Sequence, residues 1–340
     1  MDGGRRGCCL VTGATGLVGN NVVRLLVDAG FTVRALVRPG APAGDRPLAG
    51  LPVERVAAAL DDDAGLARAV DGVDVVVHAA ARVQIGRRHL GAMREVNVDG
   101  ARRIARAARR AGARLVHVSS VDTLGLRSDG APADEDTPPG GLPCCPSVIT
   151  KREAEAEVLR AVDRGLDAVI VNPVFVLGPW DWKPSSGRML LEVAAGRGLL
   201  APPGSNDFVD GRDVAAGIRA AIERGASGRR YILGGHPLSY REAWTIFARV
   251  TGRRPPLGTA PGALVRAAGW CGDVAGMLRR GEATLNSAAA RMALVAQTFS
   301  SGRAERELGY AVRPFEETVR DAWRWFVTRG YACPVRRRAA

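Results

Sequence analysis

A glycine-rich turn near the start of the chain has the residue types and spacing to hold a phosphate group. The sequence VTGATGLVG (11–19) follows the apolar run CCLVTG (8–13) and opens a helical pattern, LVGNNVVRLLVDAG (17–30). Glycines permit a tight turn and a close approach of the backbone to a pyrophosphate, while the helix N-terminus offers unpaired N–H groups and a positive dipole end. The strand, turn and helix occur in the required order, so the pattern predicts a dinucleotide site rather than a structural turn alone. The candidate cofactor-binding residues of this turn are Gly13, Thr15, Gly16, Leu17, Val18 and Gly19.

The residue that follows the second predicted strand indicates which dinucleotide binds. An NAD site usually has a carboxylate there, which accepts a hydrogen bond from the ribose 2′-hydroxyl. The chain instead reads RALVRPG (34–40), with Arg38 and no acidic residue nearby. A guanidinium suits the 2′-phosphate of NADP through charge-assisted hydrogen bonds, so we expect NADP, with NAD possible.

Composition bounds the class of protein. With 340 residues, of which 46% are hydrophobic, the chain can form one large α/β unit or two lobes with a packed core. No apolar run reaches the roughly 18–20 residues needed to span a bilayer, and the start of the chain lacks a signal-peptide pattern. The six cysteines show neither a C-x-x-C pair nor a metal-binding spacing. We therefore expect a soluble, cytoplasmic protein with reduced thiols, no membrane span and no metal.

The net charge of +13 raises the question of a nucleic-acid partner. The basic residues are dispersed along the helices, and only Arg336–Arg338 form a tight run near the end. Lys151 and Lys183 are the only lysines among 48 basic residues, which indicates a compositional preference for arginine. We therefore expect a small-molecule substrate, and only weak, salt-sensitive binding to nucleic acid without sequence preference.

The order of predicted elements indicates an α/β fold. Short β-rich runs alternate with helical stretches, as in a doubly wound parallel sheet (a Rossmann fold), and a smaller C-terminal substrate lobe follows. Beyond residue 173 the chain becomes loop-rich. We expect a cofactor domain from residues 1–172 and 206–235, a substrate-binding lobe from 173–205 and 236–332, and a basic tail from 333–340. The predicted strands are 8–13, 31–37, 53–58, 74–81, 115–120 and 167–178, and further helices are expected at 94–112 and 150–165.

With these motifs the sequence resembles the extended short-chain dehydrogenase/reductases of the NAD-dependent epimerase/dehydratase family. It is most similar to the branch of hopanoid-associated sugar epimerases and dihydroflavonol reductase-like proteins. The resemblance covers nearly the whole chain. It is carried by TGATGLVG (12–19), VVVHAAA (75–81), NVDG (97–100), VSSVDTLG (118–125), VNPVFVLGP (171–179), RDVAAGI (212–218), RYILGG (230–235) and ERELGY (305–310).

The resemblance implies a shared chemistry, the oxidation or reduction of a carbonyl or secondary alcohol, with a sugar derivative as one candidate substrate. In the family a Ser or Thr hydroxyl orients the substrate oxygen, a Tyr exchanges the proton, and a Lys lowers the pKa of the Tyr and holds the nicotinamide ribose. Ser120 and Lys151 take the serine and lysine positions, although Ser120 could merely end a strand and Lys151 could be a solvated helix residue. The resemblance also implies cofactor contacts by Ala79, Ala80, Ala81, Lys151, Pro173 and Val176.

Two positions depart from the family pattern. Ala59 stands where an aspartate usually contacts the adenine, so recognition of the base would be looser or would use Leu60 and Asp61 differently. In CCPSVITKREAE (144–155), Ser147 stands four residues before Lys151, where the family has its tyrosine. An alkyl hydroxyl is a far weaker acid than a phenol of pKa roughly 10.

The first 230 residues contain no tyrosine, and we expect none of the four later ones to replace the missing phenol. Three accounts stay open. The protein is an NAD(P)-dependent oxidoreductase or epimerase that uses water, Ser120, a substrate hydroxyl or a nearby side chain as proton relay, with Ser147 kept among the candidate catalytic residues. Cys144, Cys145 and Asp122 are near these positions in the sequence. Alternatively, it is a catalytically degenerate NADP-binding sensor or scaffold, or it performs different chemistry in the same cleft. A homodimer through the helices at 94–112 and 150–165 is possible, although their charge argues against a dry interface.

Overall fold

The computed structural model describes residues 7–40, 45–86, 88–278, 283 and 285–333. Residues 334–340 of the predicted basic tail, with the run Arg336–Arg338, lie outside the described residues. In the part of the chain that is described, no helix is both long and apolar enough to cross a bilayer.

Twelve strands are formed by the described residues. They are β1 (Cys8–Thr12), β2 (Thr32–Val37), β3 (Val53–Ala57), β4 (Val75–His78), β5 (Arg114–Val118), β6 (Ala168–Pro173), β7 (Phe175–Leu177), β8 (Leu200–Ala201), β9 (Ser205–Asp210), β10 (Arg230–Leu233), β11 (His236–Ser239) and β12 (Gly258–Thr259).

Thirteen α-helices connect and cover these strands in the same described ranges. They are α1 (Leu17–Asp28), α2 (Asp45–Leu48), α3 (Asp63–Val70), α4 (Leu90–Arg94), α5 (Gly100–Ala111), α6 (Pro146–Val162), α7 (Gly187–Ala194), α8 (Gly211–Arg224), α9 (Tyr240–Thr251), α10 (Gly262–Leu278), α11 (Ser287–Met292), α12 (Gly302–Leu308) and α13 (Phe315–Thr328). A π-helical turn, Glu95–Asp99, joins α4 to α5, and a 3₁₀ turn, Val121–Thr123, follows β5.

Seven parallel strands form the central sheet in the order β3-β2-β1-β4-β5-β6-β10. The sheet is covered on both faces, by α1 and α8 over one core cluster and by α3, α5 and α6 over the other. This confirms the predicted doubly wound α/β fold. The strand order reverses between β1 and β4, and ligands of such sheets bind outside the carboxyl ends of the strands at this reversal.

The smaller sheets and helices α7, α9 and α13 form a second packed unit, which corresponds to the predicted substrate lobe. Strands β11, β9 and β7 form one sheet, and β12 pairs with β8. An aromatic core, which includes Phe208, Phe247, Phe315 and Phe326, joins these strands to α7, α9 and α13. The predicted domain boundaries stay a prediction, since β9 lies in the smaller sheet whereas α8 packs on α1 of the cofactor domain.

Four predicted elements differ in extent from the structure. The run 167–178 divides into β6 and β7, because the chain leaves the central sheet after Pro173 and β7 pairs with β9 instead. The run 74–81 ends as a strand at His78, and the three alanines that follow form a loop. The helix predicted at 94–112 is interrupted by the π-helical turn, and the helix predicted at 150–165 begins earlier, at Pro146.

Candidate functional site

The three glycines of the turn between β1 and α1 have different structural roles. Gly13 has a φ of 68°, and a Cβ there would lie 2.6 Å from the backbone nitrogen of Ala80. A Cβ on Gly19 would lie 2.2 Å from the carbonyl oxygen of Gly13. Gly16, in contrast, is exposed, and a Cβ there would meet nothing closer than 3.4 Å. The first and third glycines are therefore required for packing, whereas the middle one has open space beside it at the start of α1.

The start of α1 has the electrostatic character of an anion site. Gly16 caps the helix without a side-chain hydrogen bond, and the first turn, which includes Leu17 and Val18, contains no acidic residue. Thr15 is partly exposed beside it. Helix N-termini present free N–H groups and a positive dipole end, so these residues fit a pyrophosphate.

Hydrogen bonds tie the carboxyl ends of β1 and β4 together at the reversal of strand order. Thr12 accepts bonds from the backbone nitrogens of Ala79 and Ala80, through its carbonyl and hydroxyl oxygens, at 3.2 Å each. The same hydroxyl lies 2.7 Å from Nδ1 of the buried His78. Ala81 continues the loop and is partly buried. The predicted alanine segment therefore lines the edge at which the glycine turn lies.

The residues predicted near the adenosine end lie at the carboxyl ends of the next two strands. Arg38 follows β2, is exposed, and forms no ion pair with a side chain of the described ranges. Leu60 follows β3, is half-buried and contacts Gly100 at the start of α5. Because β2 and β3 pair in parallel, these two side chains flank one region of the sheet edge.

Lys151 is buried on α6, and its ammonium group donates a hydrogen bond to the carbonyl oxygen of Val118 at 3.0 Å. Val118 ends β5, two residues before Ser120, so the helix residue and the strand end meet. Burial lowers the pKa of Lys151 to about 8, against the opposing influence of the carboxylates of Glu155 and Asp122. The amine is therefore not a solvated surface group.

Ser120 and Asp122 form a tight turn beside Lys151. The Ser120 hydroxyl accepts a hydrogen bond from the backbone nitrogen of Asp122 at 3.2 Å. Burial raises the pKa of the Asp122 carboxyl, while its hydrogen bond with the Ser120 side chain and the charges of Lys151 and Arg152 lower it. Arg152 is held over this turn by donating to the carbonyl oxygen of Thr123 at 3.0 Å. A hydroxyl, a carboxyl of raised pKa and two cations are thus brought together.

Ser147 lies in the first turn of α6, one helical turn before Lys151 and therefore on the same side of the helix. Its side chain is buried, and its hydroxyl has no hydrogen bond to another residue of the described chain. The adjacent Cys145 and Val148 pack against Ala288 of α11. The site thus places Ser147 at the junction of the cofactor domain and the substrate lobe.

Pro173 and Val176 lie where the chain passes from the central sheet to the substrate lobe. Pro173 is buried at the carboxyl end of β6, and Val176 is half-buried in β7, opposite Val209 of β9. The structure thus places both at the same junction as Ser147.

A buried hydrogen-bond network fixes this arrangement, and sequence reasoning missed it. The Glu155 carboxylate accepts from the Thr123 hydroxyl at 2.8 Å, the Asn172 amide at 2.7 Å and the Arg230 guanidinium at 2.8 Å. Asn172 also donates to the carbonyl oxygen of Ser120 at 3.0 Å. The signal available in the sequence was a carboxylate four residues after Lys151 on a helix. The network holds α6, β6 and the Ser120 turn in register.

Two buried histidines, which sequence reasoning also missed, lie near Lys151. His78 and His117 stack with their ring centroids 5.4 Å apart. Burial and the Lys151 charge lower the pKa of His78 to about 3. Burial, the His78 ring and the same charge hold that of His117 well below its ordinary value. Both rings are therefore neutral, and no imidazolium competes with Lys151 as the cation of the site.

Tyr240, at the start of α9, is the tyrosine whose pKa is influenced by the site. Burial raises the pKa of Tyr240, the hydrogen bond from Asn206 lowers it, and the Asp122 carboxylate adds to the rise. The other tyrosine hydroxyls donate elsewhere, from Tyr231 to Glu307, from Tyr310 to Gly234 and from Tyr331 to Trp182. Tyr240 is thus the tyrosine whose phenol interacts electrostatically with Asp122 of the site.

The fold and site define a class of protein, a Rossmann enzyme whose dinucleotide site adjoins a Ser–Lys pair. Residues 9–234 match the model of the NAD dependent epimerase/dehydratase family, and the chain belongs to that family. It is an NAD(P)-dependent oxidoreductase or epimerase that acts on sugar or carbonyl-type small molecules.

Similar proteins extend over nearly the whole chain. Sterol demethylase protein B of Methylococcus capsulatus is 35% identical over 94% of this chain and 98% of its own. A 4-hydroxy-2-methyl-3-oxo-4-farnesyl-3,4-dihydroquinoline-1-oxide ketoreductase of Stigmatella aurantiaca is 31% identical over 92% of this chain and 95% of its own. The crystal structure of a nucleoside-diphosphate-sugar epimerase from Pseudomonas aeruginosa superposes with a TM-score of 0.79 at 26% identity, covering 96% and 99% of the two chains.

Proposed function

We propose that this protein is an NADPH-dependent ketoreductase that reduces a ketone to a secondary alcohol. The observation that carries the proposal is the cluster of Ser120, Asp122 and Lys151 at the carboxyl end of β5, beside the reversal of strand order. The similarity to a ketoreductase over nearly the full length of both chains supports a reduction rather than an epimerisation.

The glycine turn would hold the pyrophosphate, and Arg38 the 2′-phosphate, since its guanidinium has no ion-pair partner among the described side chains. When bound, the nicotinamide supplies the hydride that reduces the carbonyl carbon. Lys151 would contribute its charge and a donor to the ribose side of the site. The other residues proposed to contact the cofactor are Leu60, Ala79, Ala80, Ala81, Pro173 and Val176.

The chain itself supplies the proton that the product alcohol requires. The Ser120 hydroxyl donates to the substrate oxygen and takes a proton in turn from the Asp122 carboxyl, whose raised pKa keeps a larger fraction protonated. The positive charge of Lys151 stabilises the negative charge that develops on the substrate oxygen. Ser147, with a free hydroxyl on the same side of α6, holds the substrate or a water in the space that a phenol would fill.

The cofactor assignment is tested by measuring NADPH and NADH affinity and the reduction of a panel of ketones. NADPH is expected to bind at least about tenfold more tightly than NADH, a difference of about 1.4 kcal/mol. Arg38→Ala should remove most of that preference. Equal affinities in the unmodified protein would refute the assignment of Arg38.

The proton donor is tested with Asp122→Asn, and Tyr240→Phe serves as the matched control. Asp122→Asn is expected to lower kcat by ~10²–10⁴-fold, and the fall of the rate at high pH that reports the carboxyl should disappear. Tyr240→Phe should retain kcat, because in the proposed relay the proton passes from Asp122 to Ser120 and the Tyr240 hydroxyl, which accepts a hydrogen bond from Asn206, takes no part. The reverse pattern would assign the proton to Tyr240.

A second candidate function is a sensor or scaffold that binds NADP without turnover, because the family tyrosine is absent. The observation that favours it is the serine at position 147, which removes the usual acid. Tight NADPH binding without reduction of any ketone, aldehyde or keto-sugar in the panel would establish this second function in place of the first.

We also propose a cytoplasmic homodimer. All six cysteines are free, which suits a reducing compartment. Helices α5 and α6 pack side by side and carry surface ion pairs, such as Arg102 of α5 with Glu157 of α6 at 3.3 Å and Arg94 of α4 with Glu153 of α6 at 2.7 Å. A dimer through this charged face would dissociate as salt rises, which light scattering at low and high ionic strength would detect.

A further inference from the structure

Helix α10 turns its large apolar side chains toward solvent. The exposed fractions are 53% for Leu264, 67% for Trp270, 57% for Met277 and 82% for Leu278. Trp270 and Met277 are seven residues apart, which is about two helical turns, and Leu264 and Leu278 are separated by twice that spacing. These side chains therefore lie along one side of the helix. We call Leu264, Trp270, Met277 and Leu278 the α10 face. Ordinary surface helices have the opposite arrangement, with the apolar stripe facing the core.

The inner side of α10 is built from glycine, which fixes this orientation. A Cβ on Gly269 would lie 2.6 Å from the Cβ of Ala290, and one on Gly272 would lie 1.8 Å from the carbonyl oxygen of Leu285. The helix thus lies close against α11 and the residues before it, and no rotation could bury its large side chains there. The exposure of the α10 face is therefore a consequence of the packing and not of a single rotamer.

The charges on and near α10 suit an anionic surface. Asp273 is the one acidic residue of the helix, and its carboxylate is turned to α11, where it accepts from the backbone nitrogen of Ser287 at 3.1 Å. Arg266 is exposed, as is Arg254 in the segment before the helix. The chain as a whole carries a net charge of +13. An apolar face with Trp and Leu, accompanied by arginines, is the pattern of helices that lie on anionic bilayers.

The apolar surface continues from α10 toward the catalytic residues. Leu285 is half exposed beside Gly272, and the next residue, Asn286, donates to the carbonyl oxygen of the exposed Ile85 at 2.7 Å. Ile85 lies in the loop that follows β4 and the three alanines predicted to contact the cofactor, so exposed apolar residues extend from α10 to that loop. Two residues after Asn286, the buried Ala288 of α11 packs against the buried Cys145 and Val148, on either side of Ser147. A lipid-like substrate taken up at α10 would thus meet apolar side chains as far as the loop beside the site.

We propose that the α10 face docks on an anionic phospholipid bilayer and that the substrate of the site is a lipid-like ketone taken from that bilayer. The second part rests on the ketoreductase function proposed above. The docking itself does not depend on that function, because it stands on the exposed side chains and the glycine packing of α10 and on the exposed Arg266 and Arg254.

Docking is tested by sedimentation of the full chain with vesicles of phosphatidylcholine, with and without phosphatidylglycerol. The unmodified protein should bind the phosphatidylglycerol vesicles and bind those of phosphatidylcholine alone more weakly. Trp270→Glu should bind at least about tenfold more weakly, because it places a charge in the face that inserts. Arg266→Gln should bind about fivefold more weakly.

Val312→Glu is the matched control, because it introduces the same charge at an exposed apolar residue outside α10, and it should bind as the unmodified protein does. Equal binding by Trp270→Glu, or no binding by the unmodified protein, would overturn the proposal. So would a dimer that Trp270→Glu dissociates in the absence of lipid, since the occupant of the face would then be a second copy of the chain.

The substrate class is tested by comparing a water-soluble ketone with a long-chain ketone held in the same phosphatidylglycerol vesicles. Trp270→Glu should keep its kcat/KM for the water-soluble ketone, which also shows that it is folded, and lose at least about tenfold for the vesicle ketone. Equal rates of the two proteins on the vesicle ketone would overturn the lipid-like substrate. Vesicle binding without reduction of either ketone would instead refute the ketoreductase function and leave the docking supported.

Discussion

Replacing Lys151 by Met should increase stability while it removes activity. The ordinary lysine pKa is 10.5 and burial lowers that of Lys151 to about 8, so at neutral pH its charge opposes folding by about 3 kcal/mol. The substitution also leaves the carbonyl oxygen of Val118 without its donor, which costs about 1 kcal/mol. The net expectation is a gain of about 2 kcal/mol in the free energy of unfolding.

The pH dependence of that gain gives the argument a second check. Below pH 8 both the folded and the unfolded chain hold the proton, so the opposing contribution is present in full. Between pH 8 and 10.5 the folded protein loses the proton first, and the stability of the unmodified protein rises toward that of the variant. The difference between the two proteins should therefore shrink over this range.

The assay is urea unfolding of both proteins from neutral to alkaline pH, together with NADPH oxidation. Lys183→Met is the control, because it alters the only other lysine, which is exposed, and should change stability by less than about 0.5 kcal/mol. The reasoning is refuted if Lys151→Met is less stable than the unmodified protein, or if the difference between them does not change with pH.

Two further predictions concern the missing phenol and the glycine turn. Ser147→Tyr should place a phenol one helical turn from Lys151 and raise turnover. In a protein that also carries Asp122→Asn, the gain should reach up to ~10²–10⁴-fold, because the phenol would replace the missing acid. Loss of activity in Ser147→Tyr would show instead that Ser147 belongs to a rebuilt site. Gly16→Ala should leave the unfolding free energy nearly unchanged but weaken NADPH binding in a titration, because its Cβ would have room in the fold and would point at the ligand. Gly19→Ala should destabilise the protein by a few kcal/mol, since its Cβ would collide with backbone, and a Tm equal to that of Gly16→Ala would contradict this account.

The sequence by itself determined the fold class and the cofactor end of the site. Parallel strands and their covering helices produce periodic and apolar patterns that are local in the sequence. The glycine motif is local as well, because it spans only nine residues of the chain. Arg38 could be placed at a strand end for the same reason. The absence of a tyrosine at position 147 could likewise be recognised from the sequence, because identifying the residue at a fixed spacing before Lys151 requires no tertiary information.

Only the tertiary structure decided the environment of the reacting groups. Lys151 meets a carbonyl oxygen 33 residues away, and Glu155 is joined to Arg230 across 75 residues, so neither partner could be read from local spacing. The raised pKa of Asp122, its influence on Tyr240 and the outward face of α10 depend on burial. Burial is set by which elements pack against one another, and no pattern along the chain specifies that packing for a single side chain.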